Sequence, residues 1–151
     1  MNLRGPALRL LSLCLIVTSL CACSQRVSKE DYISDVNQLC VEAREDLDAY
    51  EQDLRGATSV DEVRSAVMEG RNVLERFHGN LAALEKPEED RRTLDSWLSE
   101  LDDVVDLMRR LEEATAAGNL GEIEQVTQEA EIAQAEGDRL AMDYGIEGCA
   151  R

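Results

Sequence analysis

Small and apolar residues recur at alternating steps of three and four through four long segments of this 151-residue chain. In the second segment the series begins with Val60, Val63, Val67, Gly70 and Leu74. Such spacing places these residues on one stripe of a helix, and a 3.5-residue period is typical of helices that pack lengthwise on one another. The stripes therefore predict four long helices.

Local signals mark where each predicted helix starts and ends. Ser59, with Glu62 three residues later, resembles a capping box, in which each side chain bonds the backbone N–H of the other residue. Proline is favoured in a first helical turn because its missing N–H would be unpaired there, so Pro87 predicts the start of the third helix. The predicted limits are Ser28 to Arg55, Ser59 to Lys86, Pro87 to Gly118 and Asn119 to Tyr144.

Connection length and composition refine the fold prediction. Few residues separate the predicted helices, and short connections favour antiparallel neighbours. Aromatic residues make up only 3% of the chain, which suits helices packed through Leu, Val and Ala better than a β-sheet. We therefore predict an all-α fold, an antiparallel up-down-up-down four-helix bundle that spans residues 29–151.

The first 23 residues have the three zones of an export signal. Arg4 and Arg9 lie in a basic stretch, an apolar run extends from Leu10 to Leu20, and small residues follow. As a helix the apolar run would span only about 16 Å, roughly half of a bilayer core, so we predict no permanent transmembrane helix. Residues 1–22 are predicted to be a signal peptide that is removed.

The segment Leu20-Cys21-Ala22-Cys23 resembles the bacterial lipobox. In that motif a Leu lies three positions before a cysteine, a small residue directly precedes the cysteine, and the cysteine sulfur receives diacylglycerol. The resemblance implies cleavage before Cys23, lipidation of that cysteine, and a protein anchored at the extracytoplasmic face of the cell membrane. Residues 23–28 would form a short tether, and plain secretion or an uncleaved anchor is the alternative.

The remaining cysteines predict one disulfide. Of the five cysteines, Cys14 and Cys21 leave with the signal and Cys23 carries the lipid. Cys40 and Cys149 remain, and two cysteines in an exported chain are expected to pair. We therefore predict a clamp that ties the C-terminal tail to the first helix.

The final segment Gly145-Ile146-Glu147-Gly148-Cys149 carries a second, looser resemblance. A lipobox signal, a cysteine in the first helix and a Gly-Ile-x-x-Cys tail are together similar to small helical lipoproteins of GC-rich Gram-positive bacteria. This resemblance implies no particular activity.

The predicted mature chain is strongly acidic. Fourteen Lys and Arg residues remain after residue 22, against 32 Asp and Glu residues, which gives a net charge of −18. Binding of nucleic-acid phosphates needs clustered Lys and Arg, so we predict no nucleic-acid partner. The acidity is typical of a solvated helical surface, and selective cation binding is the alternative.

Residues suited to catalysis or cofactor binding are sparse. The single histidine, His78, lies three residues after Glu75, which is half of a di-iron carboxylate motif, but that site needs a second histidine. Haem ligation by His78 and a methionine is an alternative, although the chain has no C-x-x-C-H attachment motif. No catalytic triad, phosphate-binding loop or zinc signature occurs, so we predict no enzyme activity, metal or cofactor.

Small residues lie in the middle of the first, second and fourth predicted helices. There they face large residues on the third helix. In one interpretation Trp97 fills the space, because large residues interdigitate with small ones in protein cores. In the other, an apolar pocket beside Trp97 takes a lipid or another small molecule. The candidate pocket residues are Ala43, Gly70, Trp97, Leu101, Val104, Ala130, Ala133 and Gly137.

The sequence supports two hypotheses about function, which belong to different classes of protein. The first is a non-catalytic, membrane-anchored interaction or scaffold module that contacts another protein of the cell envelope. The second is a carrier or sensor of an apolar small molecule bound beside Trp97. Ligand dependence of the free energy of unfolding separates them, because a bound ligand stabilises the folded state by mass action.

Overall fold

A computed structural model describes residues 26–149, whose regular secondary structure is entirely helical. This confirms the predicted all-α class. The predicted signal peptide (residues 1–22), the lipidation site Cys23 and residues 150–151 lie outside the described residues. Within them, no helix is both long enough and apolar enough to cross a bilayer. The helices are α1 (Lys29–Gly56), α2 (Val60–Ala83), α3 (Arg91–Ala117) and α4 (Leu120–Tyr144), followed by a 3₁₀ turn at Glu147–Cys149.

Side-chain caps form at three of the predicted helix starts. The Ser59 hydroxyl oxygen accepts a hydrogen bond from the Glu62 N–H at 3.3 Å, and the Glu62 carboxylate accepts one from the Ser59 N–H at 3.0 Å. Ser28 caps α1 and Asn119 caps α4 in a similar way. Caps of this kind pair backbone N–H groups that have no partner inside the helix, and each contributes about 1 kcal/mol.

The predicted start of the third helix at Pro87 is wrong. Helix α2 already ends at Ala83, and α3 begins only at Arg91. A proline disfavours helical backbone at the residue before it, so a helix does not continue through Lys86. Instead, the N–H of Asp90 donates to the carbonyl of Pro87 at 3.2 Å and closes a turn. Residues 84–90 are therefore a loop.

Consecutive helices pack on each other: α1 on α2, α2 on α3, and α3 on α4. Over residues 26–149, the backbones of α1 and α4 do not approach each other as closely, and these helices meet at one end through the rings of Tyr32 and Tyr144, whose centroids are 6.3 Å apart. The C-terminal tail (residues 145–149) contacts both helices. Beyond the end where Tyr32 meets Tyr144, α1 and α4 leave a gap, and the tail lies across the edge of this gap.

A filled core lies beneath the tail. Its members come from the first half of α1, the end of α2, the start of α3, the end of α4 and the tail. Val36 and Ile146 have no exposed surface, and Trp97 is only 2% exposed. Burying side chains of this size contributes about 1.5–3 kcal/mol each. The cluster consists of Tyr32, Val36, Cys40, Leu81, Leu94, Trp97, Leu98, Ala141, Tyr144 and Ile146.

Candidate functional site

A cavity of about 240 Å³ lies at the gap between α1 and α4 and is partly open to solvent. Most of its wall is aliphatic or aromatic, and Arg44, Gln134 and Asp138 add polar groups. Its volume exceeds that of an engineered apolar cavity of about 150 Å³ that binds benzene, and lies just below the range of about 300–1,000 Å³ for drug-sized ligands. The cavity has room for a small apolar molecule.

All four helices contribute their apolar stripes to the cavity wall. Several of the wall residues, such as Leu47, Phe77 and Leu101, are only partly buried. They keep some exposure because α1 and α4 do not close over them. The apolar wall consists of Cys40, Ala43, Leu47 and Tyr50 on α1, Leu74 and Phe77 on α2, Trp97, Leu101, Val104 and Met108 on α3, and Ala130, Gly137 and Ala141 on α4.

The structure brings together most of the residues that the sequence singled out. Trp97 packs into the filled core, yet the cavity remains beside it. Leu47, Phe77 and Met108, which sequence reasoning did not assign to the pocket, also line the cavity and belong to the apolar stripes of their helices. The predicted residues that line the cavity are Ala43, Trp97, Leu101, Val104, Ala130 and Gly137.

Gly70 does not line the cavity, because the ring of Tyr50 lies against it. A Cβ at position 70 would come within 2.8 Å of two carbons of that ring. The absent side chain of Gly70 therefore lets Tyr50 pack closely on α2. Tyr50 in turn contributes its own ring to the cavity wall.

Ala133 also lies outside the cavity wall. It lines a separate groove on the outer face of α3 and α4, together with Leu107 and Ile132. Residues three or four apart share a helix face only approximately, and Gln134, four residues after Ala130, takes the cavity position instead. On α4 the cavity wall therefore contains Ala130, Gln134 and Gly137, and Ala133 faces the outer groove.

A disulfide joins Cys40 on α1 to Cys149 in the tail, with their Cα atoms 5.1 Å apart. Both residues are part of the cavity wall. Cys40 is 4% exposed, whereas Cys149 is more accessible. The predicted clamp therefore borders the predicted pocket, which the sequence did not indicate.

The tail reaches α1 through a turn and two hydrogen bonds. Gly145 ends α4 with a φ of 102°, a left-handed conformation that glycine adopts readily. The N–H of Gly148 donates to the side-chain oxygen of Asn37 at 2.8 Å. The carbonyl of Gly148 accepts a hydrogen bond from Arg44 at 3.0 Å. These contacts hold the tail across the end of the gap.

Glu75, the acidic residue of the E-x-x-H pair, takes part in an ion-pair network. Glu75 accepts hydrogen bonds from Arg71 at 2.9 Å and from Arg109 at 3.1 Å, so it links α2 to α3. Burial works against ionisation of Glu75, but the two guanidinium groups outweigh it and lower the pKa of the carboxyl. His78 is partly buried on the same helix. Across the described range, no three His, Cys, Asp or Glu side chains are grouped to hold a metal ion.

Comparison with known proteins gives no match: no family model, no curated protein sequence and no solved structure is similar to this chain. The cavity and the residues around it are therefore the basis for assigning a function.

Proposed function

We propose that this protein binds a small apolar molecule in the cavity between α1 and α4 and acts as its carrier or sensor. The observation that supports this most strongly is the cavity itself, about 240 Å³ in volume and mostly apolar in its wall. Side chains that border such a space lack dispersion contacts on one side. A molecule of matching size restores those contacts and removes apolar surface from water.

The wall favours a compact and uncharged ligand. Tyr50, Phe77 and Trp97 bring three aromatic side chains to the cavity, and aromatic pairs stabilise one another through edge-to-face or offset contacts. Met108 adds a flexible thioether that adapts to ligands of different shape. An ionised group placed against these side chains would lose its hydration without a partner. We therefore expect the buried part of the ligand to be an aromatic ring or a short hydrocarbon.

Iodobenzene is a suitable probe, because its iodine atom quenches the fluorescence of a tryptophan in contact with it. Trp97 is the single tryptophan of the chain and lines the cavity, so its emission reports on this site. We expect saturable quenching as iodobenzene is added to the protein. Ala130→Leu places extra carbon atoms in the cavity and should raise the Kd by about tenfold or more, which corresponds to at least about 1.4 kcal/mol.

Ala133→Leu is the matched control for this titration. It makes the same change on the same helix, but in the outer groove instead of the cavity. The quenching curve of this variant should equal that of the unmodified protein. Quenching that does not saturate, or an equal effect of the two substitutions, would contradict the proposal.

We also propose that the helices run up, down, up and down. Pairs of contacting residues across each interface support this. Along each interface the residue numbers rise on one helix and fall on the next. Between α1 and α2 the pairs are Tyr50 with Gly70 and Asp46 with Arg76. Between α2 and α3 they are Arg64 with Ala116 and Arg71 with Glu112, and between α3 and α4 they are Arg110 with Glu129 and Glu100 with Gly137.

We further propose that lipid on Cys23 holds the cavity at the extracytoplasmic face of the cell membrane. The lipobox supports this proposal, and α1 begins at Lys29, so the intervening tether would span at most about 20 Å. A denaturing mass spectrum of the protein from its own cells should show a chain that begins at Cys23 with the added mass of diacylglycerol. A chain that retains residues 1–22, or that begins at Cys23 without added mass, would overturn the anchor.

The interaction role predicted from the sequence stays a prediction. Some large apolar side chains are exposed, among them Leu120 at 78% and Ile132 at 71%. Individual apolar residues are common on protein surfaces and do not by themselves indicate a partner. No contact of the described residues identifies the envelope protein that this role requires.

A further inference from the structure

We infer that the C-terminal tail is a redox-controlled latch of the cavity. The ligand is held while the disulfide joins Cys40 to Cys149, and it is released when that disulfide is reduced. This inference rests on the proposed function, because it concerns regulation of the same cavity.

The tail is placed to act as a latch because it bridges the two helices that border the gap. In the described part of the chain, α1 and α4 meet at one end through Tyr32 and Tyr144, and beside the cavity the tail contacts both helices. Gly148 and Cys149 belong to the cavity wall, as does Cys40. Displacement of the tail would therefore remove part of the cavity wall.

The first half of the tail is hydrogen-bonded to α4 and the second half to α1, and Ile146 packs in the core that both helices share. The N–H of Ile146 donates to the carbonyl of Ala141 on α4 at 2.8 Å, and the Ile146 side chain is fully buried. Gly148, by contrast, contacts α1 through its hydrogen bonds with Asn37 and Arg44. Apart from these two hydrogen bonds, the bond between the cysteines is the strong link from the tail to α1. Reduction therefore weakens the α1 attachment and leaves the α4 attachment in place.

An external dithiol would open the latch in two exchange steps. Its thiolate attacks the sulfur of Cys149, the more accessible of the two cysteines, and the Cys40 sulfur leaves as a thiolate and takes up a proton. The second thiol of the reagent then attacks the mixed disulfide, which releases Cys149 as a thiol. The protein gains two electrons and two protons, and the dithiol is oxidised to a cyclic disulfide.

The test is the rate at which iodobenzene leaves the cavity. Protein saturated with iodobenzene is diluted rapidly, and the recovery of Trp97 fluorescence gives the dissociation rate. We expect dithiothreitol treatment to raise this rate at least about tenfold, and reoxidation to restore it. Far-UV circular dichroism of the same samples shows whether the helices stay folded.

A second variant tests the latch without a reductant. A Cβ on Gly148 would lie 2.6 Å from the side-chain oxygen of Asn37 and 3.3 Å from its Cα, so Gly148→Ala must displace either the Asn37 amide or the tail. Either shift disturbs the hydrogen bond from Gly148 to Asn37 and weakens the attachment of the tail to α1 with the disulfide intact. We expect it to accelerate ligand release several-fold. Gly79→Ala is the matched control, because a Cβ there meets no atom within 4 Å. This variant decides the matter if reduction unfolds the protein.

The outcomes separate the latch from the proposed function. Absence of saturable quenching in the oxidised protein would overturn ligand binding and the latch together. Saturable binding with the same release rate in oxidised, reduced and Gly148→Ala protein would overturn the latch alone. Faster release after reduction and in Gly148→Ala, with the Gly79→Ala rate unchanged, supports the latch, whereas faster release in Gly148→Ala alone would overturn its redox control.

Discussion

Cys149→Ser is expected to lower the free energy of unfolding by up to about 4.7 kcal/mol. The disulfide joins residues separated by 109 positions, so it closes a long loop and strongly restricts the unfolded chain. Loss of that restriction stabilises the unfolded state relative to the folded one. Denaturant titration of the oxidised protein and of the variant measures the difference.

Reduction of the unmodified protein is the control for this substitution. It breaks the same bond without changing the residue at position 149, so the reduced protein and Cys149→Ser should have similar free energies of unfolding. A loss smaller than about 1 kcal/mol in both would contradict a stabilising role for the disulfide. A loss in Cys149→Ser alone would mean that the serine, and not the missing bond, causes the change.

Ile146→Ala is expected to lower the free energy of unfolding by about 2–5 kcal/mol. Ile146 has no exposed surface and packs in the core beneath the tail, so truncation removes buried carbon atoms and leaves a space. Ile132→Ala is the matched control, because Ile132 is 71% exposed and its truncation should change stability by less than about 0.5 kcal/mol. Denaturant titration of both variants gives the comparison. Equal effects would mean that the tail is not part of the core.

The helices could be predicted from the sequence because local chemistry defines them. The Ser59 and Glu62 side chains form a capping box with backbone groups within three residues, which needs no tertiary contact. Pro87 could not be placed in this way, since proline suits both a first helical turn and a loop. A tertiary contact distinguishes the two, because the Tyr144 hydroxyl donates to the Asp90 carboxylate at 2.8 Å and holds the end of the loop against α4.

The pocket residues could be predicted only in part. Small residues on a stripe indicate where space is available, but not which side chain occupies it. At Gly70 the ring of Tyr50 takes the space, whereas at Ala43 and Gly137 the space remains in the cavity. A stripe shows which face of a helix is apolar and not whether another helix covers it, so the gap between α1 and α4 had no signal in the sequence. For the same reason the cysteines predicted a clamp but not its place in the cavity wall.

A crystal structure of the protein soaked with iodobenzene tests ligand binding in the cavity most directly, because the anomalous scattering of iodine locates the probe. We predict an iodine peak inside the cavity, within about 4 Å of Leu101, Val104 or Gly137, with α1 and α4 still separated by the gap. The same soak of Ala130→Leu crystals should give no such peak. Iodine found only on the outer surface, or a gap closed by packing of α1 against α4, would contradict the proposal that the cavity binds an apolar ligand.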